Sequence, residues 1–324
     1  MKCAITGALS YSGRYLAASL LSKGHDVVNL SRRGVPIAPE PLSAPQARAL
    51  GTHRVRLDFN DVDAMARSLE GCDVLVSTYW VRFADRGANS HAVAASNCAR
   101  LWEAAKRAGV QKIVMASHTR TSVDSPFPYI AGKAQAEAAL RDSGVNYAIV
   151  RPCGIFGDTA AESILMNNAA WVLRRSPLFL LAGDGSHRFQ PVHVRDIAEI
   201  MEEVGASLKT SGEELDACGP DTPTAYELFT KLRDECGGVA RIAAAGPFVS
   251  TATITALTKP IDWLTGDTLL DADDLDLLCS GLTVADAPDD PRIRQRRSLF
   301  AWIEAQGRDL GRSYVSSVER YYSN

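Results

Sequence analysis

Thr6-Gly7-Ala8-Leu9-Ser10-Tyr11-Ser12-Gly13 follows the strand-like run Lys2–Thr6 and leads into a segment of helical period, Gly13–Leu21. Strand, glycine-bearing turn and helix in that order make a phosphate cradle. Glycine lets the backbone turn tightly and approach a diphosphate, and the helix start offers N–H groups and the positive end of its dipole. The middle position, where close approach favours glycine, is Ser10; its Cβ narrows the channel or its hydroxyl donates to a phosphate oxygen.

Outward from this turn the same alternation continues. Asp26–Leu30, Arg54–Asp58, Asp73–Ser77, Lys112–Ala116 and Asn146–Val150 read as strands, and Val62–Leu69, Ser90–Ala108 and Tyr129–Arg141 as helices. The pattern predicts a doubly wound α/β fold, a parallel sheet with helices on both faces. Pro36–Ala47, rich in Pro and Ala, reads as a loop. After Arg151-Pro152 the alternation loosens, although Phe189–Val194 still reads as a strand and Arg195–Val204 as a helix. The expected division is a core over 1–155, with 185–205 returning to it, and a smaller, mostly C-terminal substrate-binding region over 156–324.

The chain has 324 residues, 46% hydrophobic, and a formal charge of −3, which excludes a disordered chain, a collagen and an overall basic nucleic-acid binder. Seven cysteines, at 3, 72, 98, 153, 218, 236 and 279, show no zinc spacing, so no metal site is expected. No apolar run reaches the roughly 18 residues of a membrane span. The start Met1-Lys2-Cys3-Ala4-Ile5 has no leader pattern, and the expectation is a soluble cytoplasmic protein with reduced thiols. The acidic run Asp271–Asp276 lacks the Gly and terminal Glu of a calcium loop and reads as a solvated helix start; Arg292–Arg297 reads as a solvated basic face.

Arg32 and Arg33 stand just past the second strand, Arg32 being 19 residues beyond Gly13. A carboxylate there would accept from the ribose 2′-hydroxyl of NAD, whereas a guanidinium grips a 2′-phosphate. Two arginines and no carboxylate favour NADP(H) over NAD(H). Asp58 and Phe59, at the end of the third strand, would sit beside the adenine.

Tyr129 and Lys133 are four apart on one helix face, and Ser117 closes the fifth strand twelve residues before Tyr129. A carbonyl reductase needs a proton donor at the substrate oxygen. Tyr ionises near about 10, and an adjacent ammonium lowers that value, so Lys133 would tune Tyr129 while Ser117 orients the substrate oxygen.

With these motifs, Arg151-Pro152-Cys153-Gly154-Ile155-Phe156-Gly157 and Gln190–Asp196, about residues 1–205 resemble the short-chain dehydrogenase/reductases, in their atypical and extended branches. The runs Ser117-His118, Ser125–Tyr129 and Gln190–Val194 look most like the branch holding the nucleotide-binding accessory subunit of respiratory complex I and NmrA-like proteins. Ile261–Leu282 and Leu310–Tyr322 look like bacterial NAD-dependent epimerase/dehydratase-type proteins. The resemblance implies a Rossmann core, with Gly7, Ser10, Tyr11, Ser12 and Gly13 carrying the phosphates, Thr78 lining the loop after the fourth strand, Lys133 holding the ribose and Pro152 bordering the nicotinamide. It also implies a substrate pocket lined by Tyr79, Trp80, Phe83, His118, Phe156, Asn167, Asn168 and Trp171, suited to an uncharged, partly apolar carbonyl compound. His118 can serve as an acid or base or be structural; His193 reads as structural. An NADPH-dependent oxidoreductase is the leading reading. A dinucleotide-binding regulatory or assembly protein and an NAD-dependent epimerase stay open, as does a homodimer through the Ser90–Ala108 helix.

Overall fold

Strands and helices alternate through the first half of the chain in the computed structural model, which describes residues 1–31, 40–81, 90–246, 249–267, 272–288 and 290–316. In order come β1 (Lys2–Thr6), α1 (Tyr11–Ser22), β2 (Asp26–Ser31), α2 (Ala44–Thr52), β3 (Val55–Arg56), α3 (Val62–Leu69), β4 (Val74–Ser77), α4 (His91–Arg107), β5 (Lys112–Ala116), α5 (Pro128–Arg141) and β6 (Asn146–Pro152). Then follow β7 (Ile155–Phe156), α6 (Ile164–Arg175), β8 (Leu178–Leu181), β9 (Val192–His193), α7 (Val194–Ala206) and β10 (Glu213–Ala217). The last elements are α8 (Ala225–Cys236), β11 (Arg241–Ala244), α9 (Thr251–Thr265), α10 (Ala272–Cys279), α11 (Pro291–Arg294) and α12 (Leu299–Gln306).

Two compact units result. The first holds Met1–Pro152 and Arg195–Ala217; the second holds Cys153–Val194 and the described residues from Cys218 to Ser316. The returning segment is thus 195–217 rather than 185–205, because β10 adds to the sheet beside β6.

The first unit carries a seven-stranded parallel sheet in the order β10-β6-β5-β4-β1-β2-β3. One face, with Ala4, Leu75, Ile113 and Ile149, packs on apolar side chains of α3, α4 and α5, including the buried Trp102. On the other face Gly205 of α7 lies against Val74 and Val114, and Ser19 of α1 donates to Glu202 of α7. Helices cover both faces, as the alternation predicted. From β1 the chain builds outward through β2 and β3, then crosses back to β4 on the other side. That reversal leaves a crevice at the C-terminal ends of β1 and β4, where ligands of doubly wound sheets bind.

One local reading changes. Ala44–Ala47 belongs to α2, not to a loop, because Ser43 and Gln46 form a reciprocal capping box with proline in the first turn. The edge strand β10 has no apolar alternation; its glutamates are held by ion pairs, Glu213 with Lys112 and Glu214 with Arg141 and Arg151.

In the second unit α6, α8, α12 and the β8–β11 ladder enclose Phe156, Leu173, Leu228, Leu232, Ile242 and Ile303. Among the described residues no helix is long and apolar enough to cross a membrane, and no cluster of His, Cys, Asp and Glu could hold a metal ion.

Candidate functional site

β1 ends in a turn that only glycine accommodates at two points. Gly7 takes φ +70°, a left-handed conformation, and its N–H donates to Leu30 O at 2.7 Å. At Gly13 a Cβ would lie 2.1 Å from the Gly7 carbonyl oxygen, so the first turn of α1 can pass this close only without a side chain. The buried Asn29 of β2 fixes the loop from below. Its Oδ1 accepts the Ala8 N–H at 2.9 Å and its Nδ2 donates to Leu50 O.

Ser10 is the helix N-cap but makes no side-chain bond to the helix, and no acidic residue stands in the first turn. The first intrahelical bond is Arg14 N–H to Ser10 O. N–H groups at such a helix start favour an external anion, with no carboxylate to compete. The exposed Ser10 hydroxyl lies over the turn, 2.9 Å from the point a Gly13 Cβ would occupy. This cradle fits a diphosphate. Tyr11 packs edge-on to Tyr15, with the Arg14 guanidinium over both rings.

Beside it, Thr78 ties the end of β4 to the end of β1, its N–H donating to Thr6 Oγ1 and its hydroxyl to Thr6 O. Asp58 accepts the Asn60 N–H in a tight turn at the end of the third parallel segment. Phe59 is a core residue: its ring packs on Tyr79, centroids 4.6 Å apart. Pro152 is buried at the end of β6, paired with Ala217. Arg32, Arg33 and Phe83 lie outside the described residues.

Tyr129 and Lys133 rise from α5 on one face, and the side chains around them close a small cage. Tyr129 meets the rings of Trp80, His91 and His118 edge-on, with centroids 6.1, 5.4 and 5.6 Å away. Lys133 is 3% exposed; its Nζ sits 4.2 Å from the centre of the Trp80 ring and 6.0 Å from that of Tyr129, and donates to Ala116 O at 2.8 Å. Burial pushes its ammonium down to about 8. His118 is pushed down to about 4, again by burial, so it is neutral near pH 7. A neutral imidazole can give only one ring nitrogen a proton, and the Thr119 carbonyl 2.9 Å from Nδ1 claims it, leaving Nε2 an acceptor. Gly132 admits the cage: a Cβ there would press within 3.2 Å of His91 and Trp80.

Ser117 is at the predicted position but faces elsewhere. Its hydroxyl donates to Glu137 Oε1 at 2.5 Å, one helical turn beyond Lys133. Glu137, 1% exposed, also takes Thr121, Arg141 and Arg151. Burial raises its pKa, but the bonds from Arg151 and Ser117 outweigh that and hold it below the usual carboxylate range.

The expected pocket wall divides. Trp80 and His118 stand at Tyr129. Tyr79 turns instead to Phe59 and accepts from Asn97 at 3.0 Å. In the second unit Phe156 is fully buried between His193 and Trp302, a core position rather than a pocket wall. Asn167 and Asn168 use their amides on the segment 311–315. Asn167 bonds Gly311 N and Ser313 O, and Asn168 bonds both backbone groups of Val315. Trp171 packs on Tyr314 of the same segment. These three therefore anchor chain, not the expected ligand. His193 is buried 3.5 Å from Asp158, as a structural histidine would be.

Sequence reasoning missed Asn29, His91 and Glu137. Only Glu137 left a signal, since 129, 133 and 137 form one ladder of a helix face.

The family model for NAD(P)H-binding proteins matches residues 7–170. Mitochondrial NADH dehydrogenase [ubiquinone] 1 alpha subcomplex subunit 9 of Dictyostelium discoideum is 26% identical over 234 residues, 71% of this chain and 62% of that one. Photosystem II assembly factor Ycf39 of Cyanidium caldarium is 28% identical over 201 residues, 62% of this chain and 60% of that one. The matched region thus spans under two-thirds of these curated relatives. Among solved structures, the Escherichia coli NADPH-dependent quinone oxidoreductase QOR2 complexed with NADPH has the same fold, with TM-score 0.69 and 20% identity over 94% of this chain and 99% of that one. A nucleoside-diphosphate-sugar epimerase of Staphylococcus aureus gives TM-score 0.68 and 18% identity, covering 94% of this chain and 100% of that one. The chain belongs to the NAD(P)H-binding family.

Proposed function

We propose that the protein is an NADPH-dependent oxidoreductase acting on a small, partly apolar carbonyl or alcohol substrate, with Tyr129 moving the proton at the substrate oxygen. The dinucleotide, when bound, supplies or takes up the hydride. The N–H groups of the Gly7–Gly13 turn would hold its diphosphate, Arg32 and Arg33 its 2′-phosphate, Asp58 its adenine, and Lys133 and Pro152 its nicotinamide end. NADP over NAD rests on the two arginines.

The observation that carries this reading is the cage around Tyr129. Trp80, His91 and His118 meet its half-buried ring edge-on, while the buried Lys133 ammonium lies 6.0 Å from the ring centre, where a positive charge favours the phenolate. His118, with its Nε2 free of a proton, is better placed than Ser117 to orient a hydroxyl beside Tyr129. In Tyr129→Phe, NADPH-dependent turnover should fall by about 10²–10⁴-fold, the usual worth of a general acid, while NADPH affinity stays unchanged. Retained turnover would reject Tyr129 as the acid.

A second reading, a dinucleotide-binding assembly or regulatory protein, is favoured by one feature: Ser117 is committed to Glu137 and Lys133 to Ala116 O. It predicts tight nucleotide binding and no turnover across a broad carbonyl panel.

A further inference from the structure

Seven scattered cysteines gave no pairing by spacing, yet the fold brings two of them together. Cys153 and Cys218, 65 residues apart, have their sulfurs 3.7 Å from each other. They are brought there by strand register. Pro152 and Ala217 are partners in the parallel β6–β10 ladder, and each cysteine is the next residue along its chain. Neighbouring strands run about 4.7–4.9 Å apart, inside the roughly 4.4–6.8 Å Cα separation that a disulfide spans. Both are also the residues at which the chain passes from the first unit into the second. Their surroundings are tight: Cys153 Sγ donates to Gln190 O, Arg296 donates to Cys218 O, and Gly219 approaches Pro191 so closely that a Cβ would lie 2.2 Å from its carbonyl oxygen.

We propose that Cys153 and Cys218 form a reversible disulfide that fastens the ends of β6 and β10, an oxidation site of this chain. Cys153 is half-buried and Cys218 buried, so Cys153 meets the oxidant first. With glutathione disulfide, the Cys153 thiolate attacks one sulfur and releases one glutathione thiolate. The Cys218 thiolate then attacks the Cys153 sulfur of that mixed disulfide and releases the second. Two protein thiols lose two electrons and two protons, and one glutathione disulfide becomes two glutathiones. Burial pushes Cys3 and Cys279 up to about 11 and Cys98 up to about 12, which disfavours attack by their thiolates.

The test is to treat the folded full chain with glutathione disulfide, block remaining thiols with iodoacetamide, digest without reductant and map cysteines by mass spectrometry. The expected result is a linked peptide pair containing Cys153 and Cys218, lost on dithiothreitol treatment. In Cys218→Ser, Cys153 should stop at the glutathione adduct; in Cys153→Ser, Cys218 should stay reduced. Should a serine variant fail to fold, the wild-type map alone decides. Cys153 found in wild type only as the glutathione adduct, or unmodified, with no link to Cys218, overturns the proposal. NADPH affinity, measured separately on the reduced protein, reports on the proposed activity and not on this pair.

Discussion

Ser117 donates its hydroxyl to Glu137 at 2.5 Å, so the strand-end serine serves a buried carboxylate rather than facing Tyr129. Glu137 in turn holds the guanidinium of Arg151 at 2.7 Å and that of Arg141 at 2.9 Å. Removing one partner of a buried ion pair strands the other, which costs about 3–5 kcal/mol. Glu137→Ala should therefore lower unfolding stability by about that much in urea denaturation, whereas Ser117→Ala, which deletes one hydrogen bond, should cost about 1 kcal/mol. On activity the order reverses against a catalytic serine: Ser117→Ala should reduce turnover less than tenfold. A loss matching that of Tyr129→Phe would put Ser117 back at the substrate.

Gly13 sets the depth of the phosphate turn. The Cβ of an alanine would lie 2.1 Å from the Gly7 carbonyl, a backbone atom that cannot move aside without reshaping the loop. Gly13→Ala should weaken NADPH binding at least tenfold in calorimetric titration. Wild-type affinity in a folded Gly13→Ala protein would show that the turn does not carry the diphosphate.

How far the site could be read from the chain differs by region. The strand bounds Lys2–Thr6 and Lys112–Ala116 and the helix Val62–Leu69 were legible, because buried parallel strands are continuous apolar runs and helices keep their period. The α2 start was also written in the sequence, in the Ser43–Gln46 capping box, and was overlooked among the prolines. Strand β10 was not legible: charged side chains satisfied by Lys112, Arg141 and Arg151 replace the apolar pattern. Likewise the roles of Ser117, Asn167 and Asn168 depend on partners 20 to 147 residues away, which spacing along the chain does not encode.

His118 makes stability depend on pH in one direction. Burial holds its folded value at about 4, below the ordinary imidazole value of 6.5. Between these limits the unfolded chain takes up a proton that the native site refuses, so native stability falls as pH drops from about 6.5 towards 4 and is unaffected above. At pH 5 the loss from this group is about 2 kcal/mol. His187, also lowered by burial, adds to the same slope, and Glu137 contributes a loss at still lower pH. His118→Gln should therefore flatten the decline in melting temperature between pH 7 and pH 5. An unchanged slope would place the His118 ring in contact with water.

The central claim is that the turn between β1 and α1 binds a pyridine dinucleotide, with the arginines after β2 selecting its 2′-phosphate. Isothermal titration of folded, ligand-free protein with NADPH and then NADH tests it most directly. The account predicts one-to-one binding of NADPH, at least tenfold tighter than NADH and weakened by Arg32→Ala. No measurable binding of either nucleotide would contradict it.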